Sequence, residues 1–220
     1  MSSALVLKTR DYAQQELSKA EGGHDWEHVR RVWQTSKSLL EKTPEADAEV
    51  VELAALLHDI ADSKFHSGNE DIGPRMADAW LRSQEFGPQR REHVVQIVRH
   101  MGFKGGGVSS FSSLEMELVQ DADRLDALGA IGIARCFSFG GYKGNPIYQP
   151  DFKPNPGMSK EEYKKSNSPS LNHFYEKLLL LKDRMNTVAG RKEAEHRDAF
   201  LRQFLDEFFR EMGERPEGFE

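Results

Sequence analysis

Val50-Val51-Glu52-Leu53-Ala54-Ala55-Leu56-Leu57-His58-Asp59 decides how this sequence is read. Val50, Val51, Leu53, Ala54, Ala55, Leu56 and Leu57 leave almost no polar face on a helix running from Glu45 to about Asp59. A helix that is apolar all round belongs at the centre of a bundle. Its last two residues are polar and titratable, so the run delivers an imidazole and a carboxylate to the interior or to the floor of a cleft. Buried polar groups need partners. A divalent cation would satisfy both, and the negative end of the helix dipole favours a cation there. The competing reading is a helix end that reaches solvent, with His58 bonding a free carbonyl.

Working outward, helical signals dominate and no segment reads as a strand. Leu5 to Lys19 is amphipathic and closes at Gly22-Gly23. Asp25 is placed to cap a helix that runs to about Lys42, with Val29, Val32, Trp33, Leu39 and Leu40 on its apolar face. Residues 61 to 68 read as a loop. Asn69 to Gln84 and Pro88 to Met101 read as two further helices, and the Gly- and Ser-rich stretch Gly102 to Ser113 as a mobile loop. A long helical region from Leu114 breaks near Gly129 to Gly132 and ends near Phe139. Gly140 to Ser168 is a long connection rich in Pro and Gly. Ser170 to Met185 and Lys192 to Met212 then give two C-terminal helices. The expected fold is all-α: one helical bundle over residues 1–220, with its core at about 20–139, a long loop at 140–168 and added helices at 169–213.

Composition narrows the function classes. With 220 residues, 38% of them hydrophobic, the chain has enough apolar material for one sizeable core. A formal net charge of −6 argues against nucleic-acid or anionic-membrane binding, both of which rely on excess Lys and Arg. It leaves room for a small phosphorylated substrate, because a metal reverses the local field. Cys136 is the only cysteine, so it has no internal disulfide partner, and a reducing, cytoplasmic home is expected. Met1 to Leu17 lacks the apolar block of a signal peptide, and no apolar run is long enough to span a bilayer.

Three other stretches carry chemistry. His24-Asp25-Trp26-Glu27-His28 puts two histidines one helical turn apart, a spacing that suits two ligands to one metal but also arises by chance. His93 and His100 lie two turns apart on similar faces. In Asp121-Ala122-Asp123-Arg124, helical geometry sets Asp121 on the leucine side and Asp123 nearer Val119 and Asp126. Periodicity alone does not choose between the two carboxylates.

Taken together, Gly-His-Asp-Trp-Glu-His-Val-Arg-Arg-Val (23–32), Leu-Ala-Ala-Leu-Leu-His-Asp-Ile-Ala-Asp (53–62) and Gln-Asp-Ala-Asp-Arg-Leu-Asp-Ala-Leu-Gly (120–129) resemble the H…HD…D signature of the HD superfamily. With His-Phe-Tyr-Glu-Lys-Leu-Leu-Leu-Leu-Lys-Asp (173–183), they look like the stand-alone bacterial HD phosphohydrolases, some of which are nucleotide pyrophosphohydrolases. The resemblance runs from about residue 20 to 210. It implies His28 rather than His24, together with His58, Asp59 and Asp123, as ligands of one divalent metal. This mixed N/O set suits Mn first, with Fe, Co, Ni, Zn and hydrated Mg also compatible. The implied substrate is a small phosphorylated molecule, a nucleotide, which loses phosphate or pyrophosphate; a homodimer is compatible with this.

Supporting roles are expected around that centre. Asp62 is the first candidate for proton transfer, and His24 for phosphate binding or proton donation. Lys64 and Arg124 are candidates to hold phosphate oxygens, although Arg124 is equally placed to pair with a neighbouring Asp. His100 reads as a cleft residue. Lys177, which shares a face with His173, is a candidate substrate contact. Two further readings compete: a dinuclear HD phosphodiesterase or oxygenase that recruits His93 and His100, and a non-catalytic helical nucleotide sensor.

Overall fold

The computed structural model describes residues 2–19, 25–61, 69, 71–101, 111–158 and 167–219. Among them every regular element is a helix, as expected for an all-α chain. The chain divides into two compact units, Met1–Asp123 and Arg124–Glu220.

The first unit contains α1 (Ala4–Glu16), α2 (Trp26–Leu40), α3 (Ala48–Leu57), α4 (Ile72–Ser83), α5 (Pro88–His100) and most of α6 (Leu114–Leu125). The apolar run that decides the sequence reading sits at its centre. Val50 to Leu57 are all buried in α3, and α1, α2 and α5 pack against that helix. Glu52, the one polar residue in the run, accepts hydrogen bonds from Trp33 Nε1 at 2.9 Å and Ser2 Oγ at 2.5 Å. A buried carboxylate is thereby satisfied.

Local chemistry fixes where α3 begins. Asp47 accepts from the amides of Glu49 and Val50, so the helix starts at Ala48 rather than Glu45. Arg90 from α5 binds the same carboxylate at 2.8 Å and 2.5 Å and reaches Glu49 at 2.7 Å. Burial alone would raise Asp47, but Arg90 and the two amides hold it below the usual carboxylate range. The start of α2 is set in the same way: Asp25 Oδ1 accepts from the His28 amide at 2.9 Å.

The second unit contains α7 (Gly129–Lys143), α8 (Asn172–Glu176) and α9 (Val188–Met212), with α7 packed on α9. The break expected near Gly129 is a turn at 126–128, and Gly129 has φ of +67°. α7 continues past Phe139 to Lys143, because Gly140 lets the helix lie directly against Ser170: a Cβ there would stand 1.9 Å from Ser170 Oγ.

Ser170 to Met185 does not form the single helix that its periodicity predicts. α8 ends after five residues where Lys177 turns to φ −144°, and short 3-10 turns follow at Leu178–Leu180 and Lys182–Arg184. In 3-10 geometry residues three apart eclipse, which is how Leu178 and Leu181 both become buried. Thr187 then caps α9 by accepting from the Gly190 amide, so that helix begins before Lys192.

Candidate metal centre

Three helix ends in the first unit meet at one point. His28 lies in the first turn of α2, His58 and Asp59 directly follow α3, and Asp123 lies in the last turn of α6. One donor atom from each of His28, His58 and Asp59 lies within 4.8 Å of the others. His28 Nε2 stands 3.5 Å from Asp59 Oδ2 and 3.4 Å from Asp123 Oδ1, and His58 Nε2 stands 3.6 Å from Asp59 Oδ2. Two donors each about 2.1 Å from a common ion are about 3.0–3.5 Å apart, so these spacings are close to what a shared cation requires.

The chemistry of the donors fits such an ion. His58 Nδ1 lies 2.8 Å from the Ala55 carbonyl oxygen. A carbonyl only accepts, so Nδ1 carries the proton, and in the neutral ring Nε2 is left as a lone pair. That Nε2 is buried and, among the described residues, makes no hydrogen bond. A buried lone pair facing a carboxylate oxygen is unfavourable unless a proton or a cation lies between them. The resulting arrangement has a closed back and an open front. The two imidazoles have side-chain exposures of 2%, whereas Asp59 and Asp123 have 25% and 41%.

The other expected residues fall elsewhere. His24, Asp62 and Lys64 lie outside the described residues. Asp121 is fully buried in α6. His100 ends α5 and stacks on Phe111, with ring centroids 5.7 Å apart. His93 Nε2 is engaged by Ser113 Oγ at 2.9 Å and Glu115 Oε2 at 3.5 Å, and its ring meets Phe111 edge-on. Among the described residues, His28, His58 and Asp59 form the one cluster able to hold a metal. Arg124 donates to the Arg184 carbonyl at 2.8 Å. Lys177 is exposed just beyond α8, and burial together with its charge pushes the His173 imidazole down to about 3. The carbonyl bond of the competing sequence reading is thus present, to Ala55, but the helix end does not reach solvent, since the His58 side chain is 2% exposed.

Residues 25–128 match the HD domain family. The chain is 37% identical to the Bacillus subtilis protein YpgQ over 89% of its own length and 88% of that protein's. An HD-superfamily hydrolase from Bacillus thuringiensis superposes with a TM-score of 0.76 at 41% identity, covering 96% of this chain and 97% of that one. The crystal structure of YpgQ in complex with ADP superposes with a TM-score of 0.76 at 32% identity, covering 98% of this chain and 97% of that one. Among the described residues, no helix is long and apolar enough to cross a membrane. The chain belongs to the HD domain family and to its superfamily of hydrolases.

Proposed function

We propose that the chain is a metal-dependent phosphohydrolase acting on nucleotides, with His28, His58, Asp59 and Asp123 holding one divalent ion, manganese first among the candidates. The observation that carries this reading is the convergence of two buried imidazole Nε2 atoms with the carboxylates of Asp59 and Asp123. When bound, a divalent ion supplies Lewis-acid polarisation of a phosphoryl group and lowers the pKa of water. The chain's own residues do the rest. Ala55 fixes the His58 ring so that Nε2 faces the centre. The two buried histidines exclude water from behind, and the partly exposed carboxylates face the side from which substrate arrives.

The ADP complex of YpgQ supports a nucleotide as the substrate class, brought to this chain by similarity. The single-domain reading of residues 1–220 belongs to the same proposal, as do proton transfer by Asp62 and phosphate contacts from Lys64, Arg124 and Lys177. A panel of nucleoside mono-, di- and triphosphates, assayed with Mn²⁺ and separately for phosphate and pyrophosphate release, tests it. The expected result is metal-dependent release that EDTA abolishes and that His58→Ala and Asp123→Ala lose. No release from any nucleotide with any divalent ion by the folded protein sinks the reading.

A further inference from the structure

The central helix is apolar from Val50 to Leu57 except at Glu52, and that carboxylate is held inside the first unit, 7% exposed. Trp33 Nε1, from the buried face of α2, donates to Glu52 Oε2 at 2.9 Å, and Ser2 Oγ donates to the same oxygen at 2.5 Å. A buried hydrogen-bonded pair is often no more stabilising than apolar residues of the same size. The best attested use of such a pair is to fix the register of packed helices. Its position makes that use concrete. His28 lies five residues before Trp33 on α2, and Glu52 lies six residues before His58 on α3. His58 itself keeps helical geometry, with φ −59° and ψ −33°. The His28 and His58 rings meet edge-on with centroids 5.4 Å apart, and Trp33 meets Glu52 further along, so the two helices run antiparallel. At 1.5 Å of rise per residue the two arms are about 7.5 Å and about 9 Å long, as two contacts on one antiparallel seam require.

Along that seam, Val29, Val32 and Leu39 of α2 and the Val, Leu and Ala side chains of α3 are buried apolar groups, whose attraction is non-directional. Asp47 and Arg90 tie α3 to α5 and leave its position along α2 to other contacts. A slide of one residue moves the helix ends past each other by about 1.5 Å. A metal-binding group must be held to within about 0.5 Å of its productive position. We propose that Glu52 and Trp33 are positioning residues for the metal centre: their buried hydrogen bond sets the axial register of α2 on α3, and so the separation of His28 from His58 and Asp59. The inference rests on the ligand assignment above. In this role neither side chain touches the ion or the substrate.

The test uses the full chain, with Mn²⁺ alone as the probe, and reads affinity by calorimetric titration and Tm in EDTA. Trp33→Phe combined with Glu52→Leu makes both sides of the contact apolar. The Tm in EDTA should stay close to that of the wild type, because replacing both partners of a buried pair is nearly neutral. Mn²⁺ binding should nevertheless weaken about tenfold, the usual cost of losing a residue that supports a ligand. Glu52→Gln keeps an acceptor for Trp33 and should stay within about threefold of wild-type affinity. Trp33→Phe alone, in which Ser2 still donates to Glu52, carries the same comparison if the double variant does not fold. Wild-type affinity in the folded variants overturns the positioning role, as does a loss in Glu52→Gln equal to that of the double variant. Parallel losses of Tm and affinity assign the pair to stability alone and overturn it too. A wild-type chain that binds no Mn²⁺, or a His58→Ala chain that binds as tightly as wild type, overturns the ligand assignment and this role with it.

Discussion

His28 Nε2 stands 3.4 Å from Asp123 Oδ1, which joins the first turn of α2 to the last turn of α6. A nearly fully buried imidazole nitrogen beside a carboxylate oxygen is unfavourable unless a proton or a cation lies between them. His28→Ala, His58→Ala and Asp59→Ala should each lower Mn²⁺ affinity by about 100-fold or more while leaving helical circular dichroism intact. Calorimetric titration of the purified variants checks this. Retained affinity in any of the three removes that residue from the ligand set.

Metal binding at this point should also stabilise the fold, because the donors come together only in the native state. At a free-ion concentration 100 times Kd, linkage gives about 2.7 kcal/mol. For a chain of this size that corresponds to a rise in Tm of about 5–10 °C. Thermal melts with Mn²⁺ against EDTA should show the rise in the wild type and its absence in His58→Ala. A rise of equal size in that variant places the ion elsewhere.

The helix that presents His28 depends on a single cap. Asp25 accepts from the His28 amide at 2.9 Å, so the residue that starts α2 also fixes the backbone of the ligand. Asp25→Ala should cost about 1 kcal/mol of stability. It should also weaken Mn²⁺ binding, whereas Asp25→Ser restores both. Urea unfolding and metal titration of the two variants distinguish a cap from a direct metal contact, which Ser would not rescue to the same extent.

The parts of the molecule legible in the sequence are those set by local pattern. The unbroken apolar run of α3 announces a central helix because a chain cannot leave that face in water, and the polar pair that ends it must then be accounted for. Asp25 is readable as a cap for the same local reason. Periodicity is silent on which of Asp121 and Asp123 is the ligand: it sets Asp121 on the leucine side and Asp123 nearer Val119 and Asp126, and a carboxylate on either face can meet a cation. The failure at Ser170 to Met185 has another cause. Its leucines sit at positions compatible with an α-helix, but their burial is achieved by 3-10 turns after Lys177 leaves helical geometry. The bond from Arg197 to the end of α6 was out of reach altogether. Nothing near Arg197 in the chain indicates that it bonds the carbonyl of Leu125.

His173 should make the protein acid-sensitive. Burial, reinforced by the charge of Lys177, pushes its imidazole down to about 3 from an ordinary 6.5. Below pH 6.5 the unfolded chain takes up a proton that the folded chain refuses, so stability falls as pH drops from 6.5 toward 3. His173→Gln should flatten that part of the profile. Chemical unfolding between pH 7 and pH 4 measures it, and an unchanged slope in the variant assigns the acid sensitivity to other groups.

Gly140 tests how tightly α7 is seated. A Cβ at this position would lie 1.9 Å from Ser170 Oγ and 3.1 Å from Ser170 Cβ, so the obstacle is a side chain rather than backbone. Ser170 cannot simply withdraw, because its backbone is held on both sides: its amide donates to Pro146 at 2.8 Å, and its carbonyl accepts from Cys136 Sγ at 3.2 Å. Gly140→Ala should therefore destabilise by about 1–3 kcal/mol, the range for overpacking, despite the better helix propensity of alanine. Removing the obstacle should recover most of that loss. Gly140→Ala combined with Ser170→Gly is expected to be more stable than the sum of the two single changes predicts, with a coupling of at least about 1 kcal/mol. Additive behaviour in a double-mutant cycle would mean that the helix shifts to admit the methyl group and that the close approach is not required.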